Sequence, residues 1–271
     1  MRFSIILLFS FSLFGTPSER YFDLLSSTPK THGALGDFEK GEIEILLHPT
    51  LIEETEIIAL ERLLANGINR ERAIEWSRVG IIAEDQYLYW IRDAVLFPSG
   101  KKGTYDRILW KTSLSASPGV AIFPYLADGK ILLNLNYRHA TRSWELELPR
   151  GTIQDGETIR SAACRELLEE TGHHTADCLL LGSMAVDSGI LGTLVSVIAC
   201  KAIEPVERQQ EFSEAILKNI TLSLNDLETA ILKGFWDVSF PERTIRAYVR
   251  DPFLTYSLLQ MKLRHWQDKG G

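Results

Sequence analysis

The stretch from Ser143 to Gly172 restricts the fold of this chain more than any other. Ser143 to Leu148 has the pattern of a strand, Pro149-Arg150-Gly151 ends it abruptly, and a helix is predicted from about Thr158 to Thr171. Gly151 lets the chain turn sharply after the proline, and Gly172 suits the left-handed residue that closes a helix. At about 100° per residue, Glu166, Glu169 and Glu170 fall within one sector of roughly 100°, while Ala163, Cys164, Leu167 and Leu168 occupy another. One face of such a helix packs on a sheet and the other gathers three carboxylates. Hard cations with oxygen ligands, Mg²⁺ or Mn²⁺, relieve that crowding of like charge. Arg165, four residues before Glu169, is spaced to hold that carboxylate in position.

Taken alone, Arg165 to Glu170 also reads as a solvated helix with Glu/Arg pairing. The wider pattern points elsewhere. Residues 151 to 173, GTIQDGETIRSAACRELLEETGH, resemble the Nudix box through Gly151, Glu157, Arg165, Glu166, Leu167, Glu169, Glu170 and Gly172. The last position departs, with His173 where an aliphatic residue is usual. Within the superfamily the chain looks most like the ADP-ribose and nucleotide-sugar pyrophosphatases. That likeness includes Tyr137-Arg138, the run Trp144 to Gly151, and a strand pair joined at Pro98-Ser99-Gly100.

The resemblance implies an α+β fold, a Nudix-type α/β/α sandwich with a mixed sheet, here with a small helical N-terminal extension. It also implies metal-dependent hydrolysis of the pyrophosphate bond in a nucleoside diphosphate joined to another group, ADP-ribose or a nucleotide sugar. Carried over position by position, Glu166 and Glu170 are the main metal ligands and Glu169 a ligand or the holder of a metal-bound water, all three being catalytic carboxylates, with the carbonyl oxygen of Arg150 completing the shell. Arg165 joins them in the catalytic set, while Gly151, Glu157 and Gly172 build the box. Arg138 contacts substrate phosphate, Arg150 is grouped with it, and Glu211 or Glu214 in the late loop is the candidate base. The early strands exchange across a homodimer in that subfamily, so a dimer is expected. Asp187-Ser188-Gly189 stands where the ADP-ribose enzymes often carry a Pro-Gly turn. Two other readings remain beside this one: a nucleotide sensor without turnover, and an RNA 5′-pyrophosphohydrolase.

The rest of the chain divides into an apolar leader over 1–16, a linker and helical extension over 17–80, and the hydrolase domain over 81–271. A formal charge of -7 argues against broad binding of nucleic acid, which needs a basic surface to displace counterions. The run from Phe3 to Phe14 has the length of a signal segment and is short for a membrane span. Export or membrane attachment and an apolar leader on a cytoplasmic enzyme are both open. Glu19 to Gly41 is turn-rich and reads as a linker, followed by helices over Glu53 to Ala65 and from a cap at Asn69. That helix pair is expected to serve packing or dimerisation, since it carries no cluster of convergent polar groups. Strands are predicted at Tyr87 to Phe97, Thr104 to Trp110, Val120 to Tyr125, Ile131 to Tyr137 and Leu194 to Ala202, with late helices near Leu224 to Leu232 and Pro252 to Trp266. Cys164, Cys178 and Cys200 show no metal-binding spacing and read as small apolar residues in or near the core.

Overall fold

In the computed structural model, which describes residues 17–27, 35–111, 119–206 and 215–264, the chain separates into two units. One comprises Met1–Leu114 with Gly189–Gly192 and the other Ser115–Ser188 with Thr193–Gly271. The apolar run Phe3 to Phe14 and the segment holding Glu211 and Glu214 lie outside the described residues. Among the described residues no helix is long and apolar enough to cross a membrane.

The second unit is organised by strands whose two faces are both apolar. Along β5 (Gly119–Tyr125), Val120 and Ile122 face one way while Ala121 and Phe123 face the other, and all four are fully buried. Such a strand needs cover on both sides. It lies in a sheet with β6 (Ile131–Arg138), β7 (Ser143–Glu147), β8 (Arg150–Thr152), β9 (His173–Ala185), β10 (Leu194–Pro205), β11 (Ile216–Leu222), β12 (Phe235–Ser239) and β13 (Thr244–Tyr248). The order is β12-β13-β7-β6-β5-β10-β9, with β11 beside β6 and β8 beside β5. The sheet is mixed, because β10 runs parallel to β5 and β13 parallel to β7 among antiparallel neighbours.

The helix α4 (Ile159–Thr171) covers one face, with Ala162, Ala163 and Leu167 against Val120, Ile122 and Ile198. On the other face, α5 (Leu224–Lys233) and α6 (Pro252–Leu263) bring Leu227, Phe253, Leu254 and Leu258 onto Phe123, Leu133, Leu146 and Val197. This is the α+β sandwich expected from the sequence. Both layers are stabilised by burial, at about 1.5–3 kcal/mol for each large apolar side chain removed from water.

The first unit holds α1 (Pro17–Ser27), β1 (Glu44–Ile45), α2 (Pro49–Ala65), α3 (Arg70–Ser77), β2 (Gly80–Glu84), β3 (Leu88–Leu96) and β4 (Lys102–Trp110). In its sheet β3 is paired with β1, β2 and β4. Asn69 caps α3 as expected, accepting from Arg72 N at 2.9 Å. The segment read as a linker differs. Tyr21, Leu24 and Leu25, spaced three and four apart, are buried on α1, and the Tyr21 hydroxyl donates to Asp93 Oδ1 at 2.6 Å. An amphipathic turn that short was masked by the Ser, Thr and Pro residues around it.

Cysteine usage also differs from expectation. Cys178 on β9 and Cys200 on β10 are register partners and form a disulfide, which leaves Cys164 as the free thiol. Pairing register is a long-range property, and sequence spacing does not disclose it.

Candidate active site

The site forms where β7, the Pro149 turn and β8 meet α4. The helix begins at Thr158, whose hydroxyl accepts from Ser161 N at 3.0 Å while Ser161 Oγ accepts from Thr158 N at 2.8 Å. This reciprocal cap satisfies two donors that a helix start otherwise leaves unpaired. The helix ends at Gly172, with φ 74° and its N–H on Leu168 O, as its position in the sequence implied. His173, the departure from the box pattern, opens β9.

Arg165 is the hub of the cluster. Its Nε and Nη2 form a two-pronged contact with Glu157 at 2.8 and 3.0 Å, and Nη2 also donates to Thr152 O at 2.8 Å. Its Nη1 reaches Glu166 Oε1 at 2.8 Å and Glu169 Oε2 at 2.9 Å. One guanidinium therefore fixes three carboxylates and the end of β8. The Arg165 hydrogen bonds, helped by the Gln154 N–H, hold the Glu157 carboxyl at about 2, well below the usual range. In return Glu157 pushes the already high Arg165 pKa further up.

Glu166 and Glu170 are only 6% and 4% exposed, so the acidic sector is not a solvated face, while Glu169 is half-buried. Burying a carboxylate is costly unless donors meet it. Glu170 Oε2 accepts from Asn134 Nδ2 at 2.6 Å and from Arg150 N at 3.1 Å. Asn219 Nδ2 in turn donates to Asn134 Oδ1 at 2.8 Å and to Glu170 O at 3.1 Å. Gly151 lies so close to the Glu166 carboxylate that no Cβ fits between them.

Beyond this cluster the sheet face is polar. Asn134 is the register partner of both Glu147 on β7 and Asn219 on β11, which makes a row across three strands. Glu147 accepts from Asn136 Nδ2 at 2.9 Å, from Arg138 Nε at 3.0 Å and from Arg150 Nη2 at 3.2 Å. Burial works against the Arg138 charge, yet Glu147 outweighs it and raises its pKa. Arg150 Nη2 also pairs with Asp251 at 2.8 Å, and its guanidinium lies over the Phe253 ring. Burial pushes the Asp251 carboxyl up, against the pull of Arg150. At the rim, Arg250 closes an ion pair with Glu145.

The structure thus brings together Glu157, Arg165, Glu166, Glu169, Glu170 and Gly151, and sets Arg138 and Arg150 side by side on Glu147. Asn134, Asn136, Asn219, Glu147 and Asp251 were not singled out as site residues from the sequence. The signal for the first two was present, since Asn134 and Asn136 alternate with Leu133 and Leu135 on a buried strand. Among the described residues, no three carboxylate, imidazole or thiol side chains converge into a ready-made metal cage. The donor set still suits a hard cation: three carboxylates of one helix, and a glycine whose missing Cβ leaves the Glu166 carboxylate its place.

Residues 116–226 match the family model of the NUDIX domain. An ADP-sugar pyrophosphatase of Mus musculus is 29% identical over 125 residues, covering 44% of this chain and 56% of the relative. An ADP-ribose pyrophosphatase of Bacillus subtilis (strain 168) is 26% identical over 121 residues, covering 44% of this chain and 62% of the relative. The match therefore spans less than two thirds of either relative. A solved structure described as an ADP compounds hydrolase shares the fold with a TM-score of 0.54 at 21% identity, over 72% of this chain and 94% of the other.

Proposed function

From the premise that this chain carries a Nudix domain and belongs to that superfamily, we propose that it is a pyrophosphatase acting on ADP-ribose or a nucleotide sugar with Mg²⁺ or Mn²⁺. Its products are a nucleoside monophosphate and a phosphorylated partner. The observation that carries this reading is the buried arrangement of Glu166 and Glu170 beneath the Arg150-Gly151 turn, with Arg165 joining Glu166 to Glu169.

A bound divalent cation supplies charge neutralisation for two phosphates and a lowered pKa for water. The chain's own residues do the rest. Glu166, Glu169 and Glu170 offer the oxygen ligands, together with the carbonyl of Arg150. Arg165 keeps the first two oriented, and Asn134 with the Arg150 amide orients the third. Arg138, whose side chain is 41% exposed, is the substrate-phosphate residue, with Glu147 holding its guanidinium in a fixed plane. Glu211 or Glu214, outside the described residues, is the base. Electrostatic preorganisation of this kind is the main source of rate in phosphoryl transfer.

We further propose a homodimer, supported by the exposed apolar residues Ile57, Ile58, Leu64, Ile74 and Trp76 on α2 and α3. Light scattering tests it, with a monomeric mass as the contrary result. Incubation of the chain with ADP-ribose and nucleotide sugars, with product identification, tests the activity. Release of AMP with ribose 5-phosphate is expected, and an intact substrate panel contradicts the reading. Unchanged ligand that is nevertheless bound tightly identifies a sensor instead.

A further inference from the structure

We infer that Asp251, the capping residue of α6, is a positioning residue for the carboxylate cluster: it fixes the turn at residues 148–151 and, through it, Glu166 and Glu170. The inference rests on the proposed function above. Its support lies in where the two oxygens of one buried side chain go. Oδ1 accepts from Phe253 N at 3.1 Å, the ordinary task of a helix cap. Oδ2 accepts from Leu148 N at 2.9 Å and forms an ion pair with Arg150 Nη2 at 2.8 Å, across more than 100 residues of sequence. A serine would satisfy the cap alone. The second oxygen serves the turn.

That turn touches both buried glutamates. Arg150 N donates to Glu170 Oε2 at 3.1 Å, and Gly151 packs directly against the Glu166 carboxylate. Asp251 is itself only 6% exposed. Its carboxylate ties down both the backbone at Leu148 and the side chain of Arg150, the residue whose amide meets Glu170. A contact outside the ligand set that orients the ligands typically changes metal affinity by roughly 10- to 100-fold when removed.

The test is Mn²⁺ binding alone, followed by electron paramagnetic resonance on the full chain, with circular dichroism and thermal melts alongside. Asp251→Ser keeps a capping oxygen for Phe253 N and loses the reach to the turn. Asp251→Asn keeps the shape and loses the charge and one acceptor. Leu258→Ala loosens α6 from the sheet core without touching the turn. The expected result is Mn²⁺ binding by the wild-type chain, weakened roughly 10- to 100-fold in both folded Asp251 variants. Leu258→Ala is expected to lower the melting temperature and leave Mn²⁺ affinity unchanged. Wild-type affinity in either folded Asp251 variant overturns the inference. An equal loss in Leu258→Ala also overturns it, since it reduces Asp251 to a helix cap. Absence of Mn²⁺ binding by the wild-type chain instead removes the functional reading on which the inference stands.

Discussion

A methyl group placed on Gly151 would lie 2.0 Å from the carboxyl carbon of Glu166, inside any possible contact distance. Gly151 does not have a positive φ. The requirement for glycine is therefore steric, set by how closely the box helix approaches the turn after β7. Gly151→Ala is expected to displace the Glu166 carboxylate and lower kcat on ADP-ribose by about 100-fold, as an ångström of misplacement does. Overpacking costs about 1–3 kcal/mol, so the fold is retained with a reduced melting temperature. Steady-state kinetics beside a thermal melt checks both parts.

Glu166→Gln and Glu170→Gln remove charge while keeping shape. Asn134 and the Arg150 amide still meet an acceptor oxygen at position 170. Circular dichroism is expected to stay native while turnover falls by about 100-fold or more in each variant. Near-normal rates in both would assign the chemistry to other residues.

Glu157 makes stability depend on acidity in a defined direction. Its carboxyl sits at about 2 in the folded chain against an ordinary 4.5, through Arg165 first and the Gln154 N–H second. A folded pKa below the unfolded one gives stability that is present above the unfolded value and disappears as pH falls toward the folded value. The melting-temperature gap between wild type and Glu157→Gln should be full at about pH 5 and should shrink as pH falls from about 4.5 toward 2. Melts across that window measure it, and a constant gap contradicts the role given to this ion pair.

The box helix was legible because its signals are local. Thr158 and Gly172 mark the ends by capping chemistry, and the glutamate spacing shows which side chains share a sector. What the helical wheel does not show is that Glu166 and Glu170 are buried, since what covers them comes from outside the helix: Gly151 lies against Glu166, and Asn134 and the Arg150 amide donate to Glu170. The strands Ile216–Leu222 and Phe235–Ser239 went unread because much of each lies partly or fully exposed and apolar alternation is weak, while Thr244–Tyr248 alternates but over only five residues. Asp251 was invisible for a different reason. Its partner Leu148 is reached only through the fold, and no periodicity connects them.

Cross-strand pairing of Cys178 with Cys200 closes a loop of 22 residues. Loop-closure entropy assigns a disulfide of that span about 3 kcal/mol of stabilisation. Titration of the unreduced, denatured chain should find the single thiol of Cys164. Reduction should lower the melting temperature. Three reactive thiols before reduction would contradict the pairing.

The most direct measurement is product analysis of ADP-ribose hydrolysis by the wild-type chain and by Glu166→Gln and Glu170→Gln, each with and without Mg²⁺. The wild-type chain should release AMP and ribose 5-phosphate only when the cation is present, and the two variants should release almost none. Hydrolysis that persists undiminished in both variants, or a wild-type chain that leaves ADP-ribose and every nucleotide sugar intact with Mg²⁺ or Mn²⁺, would contradict the account.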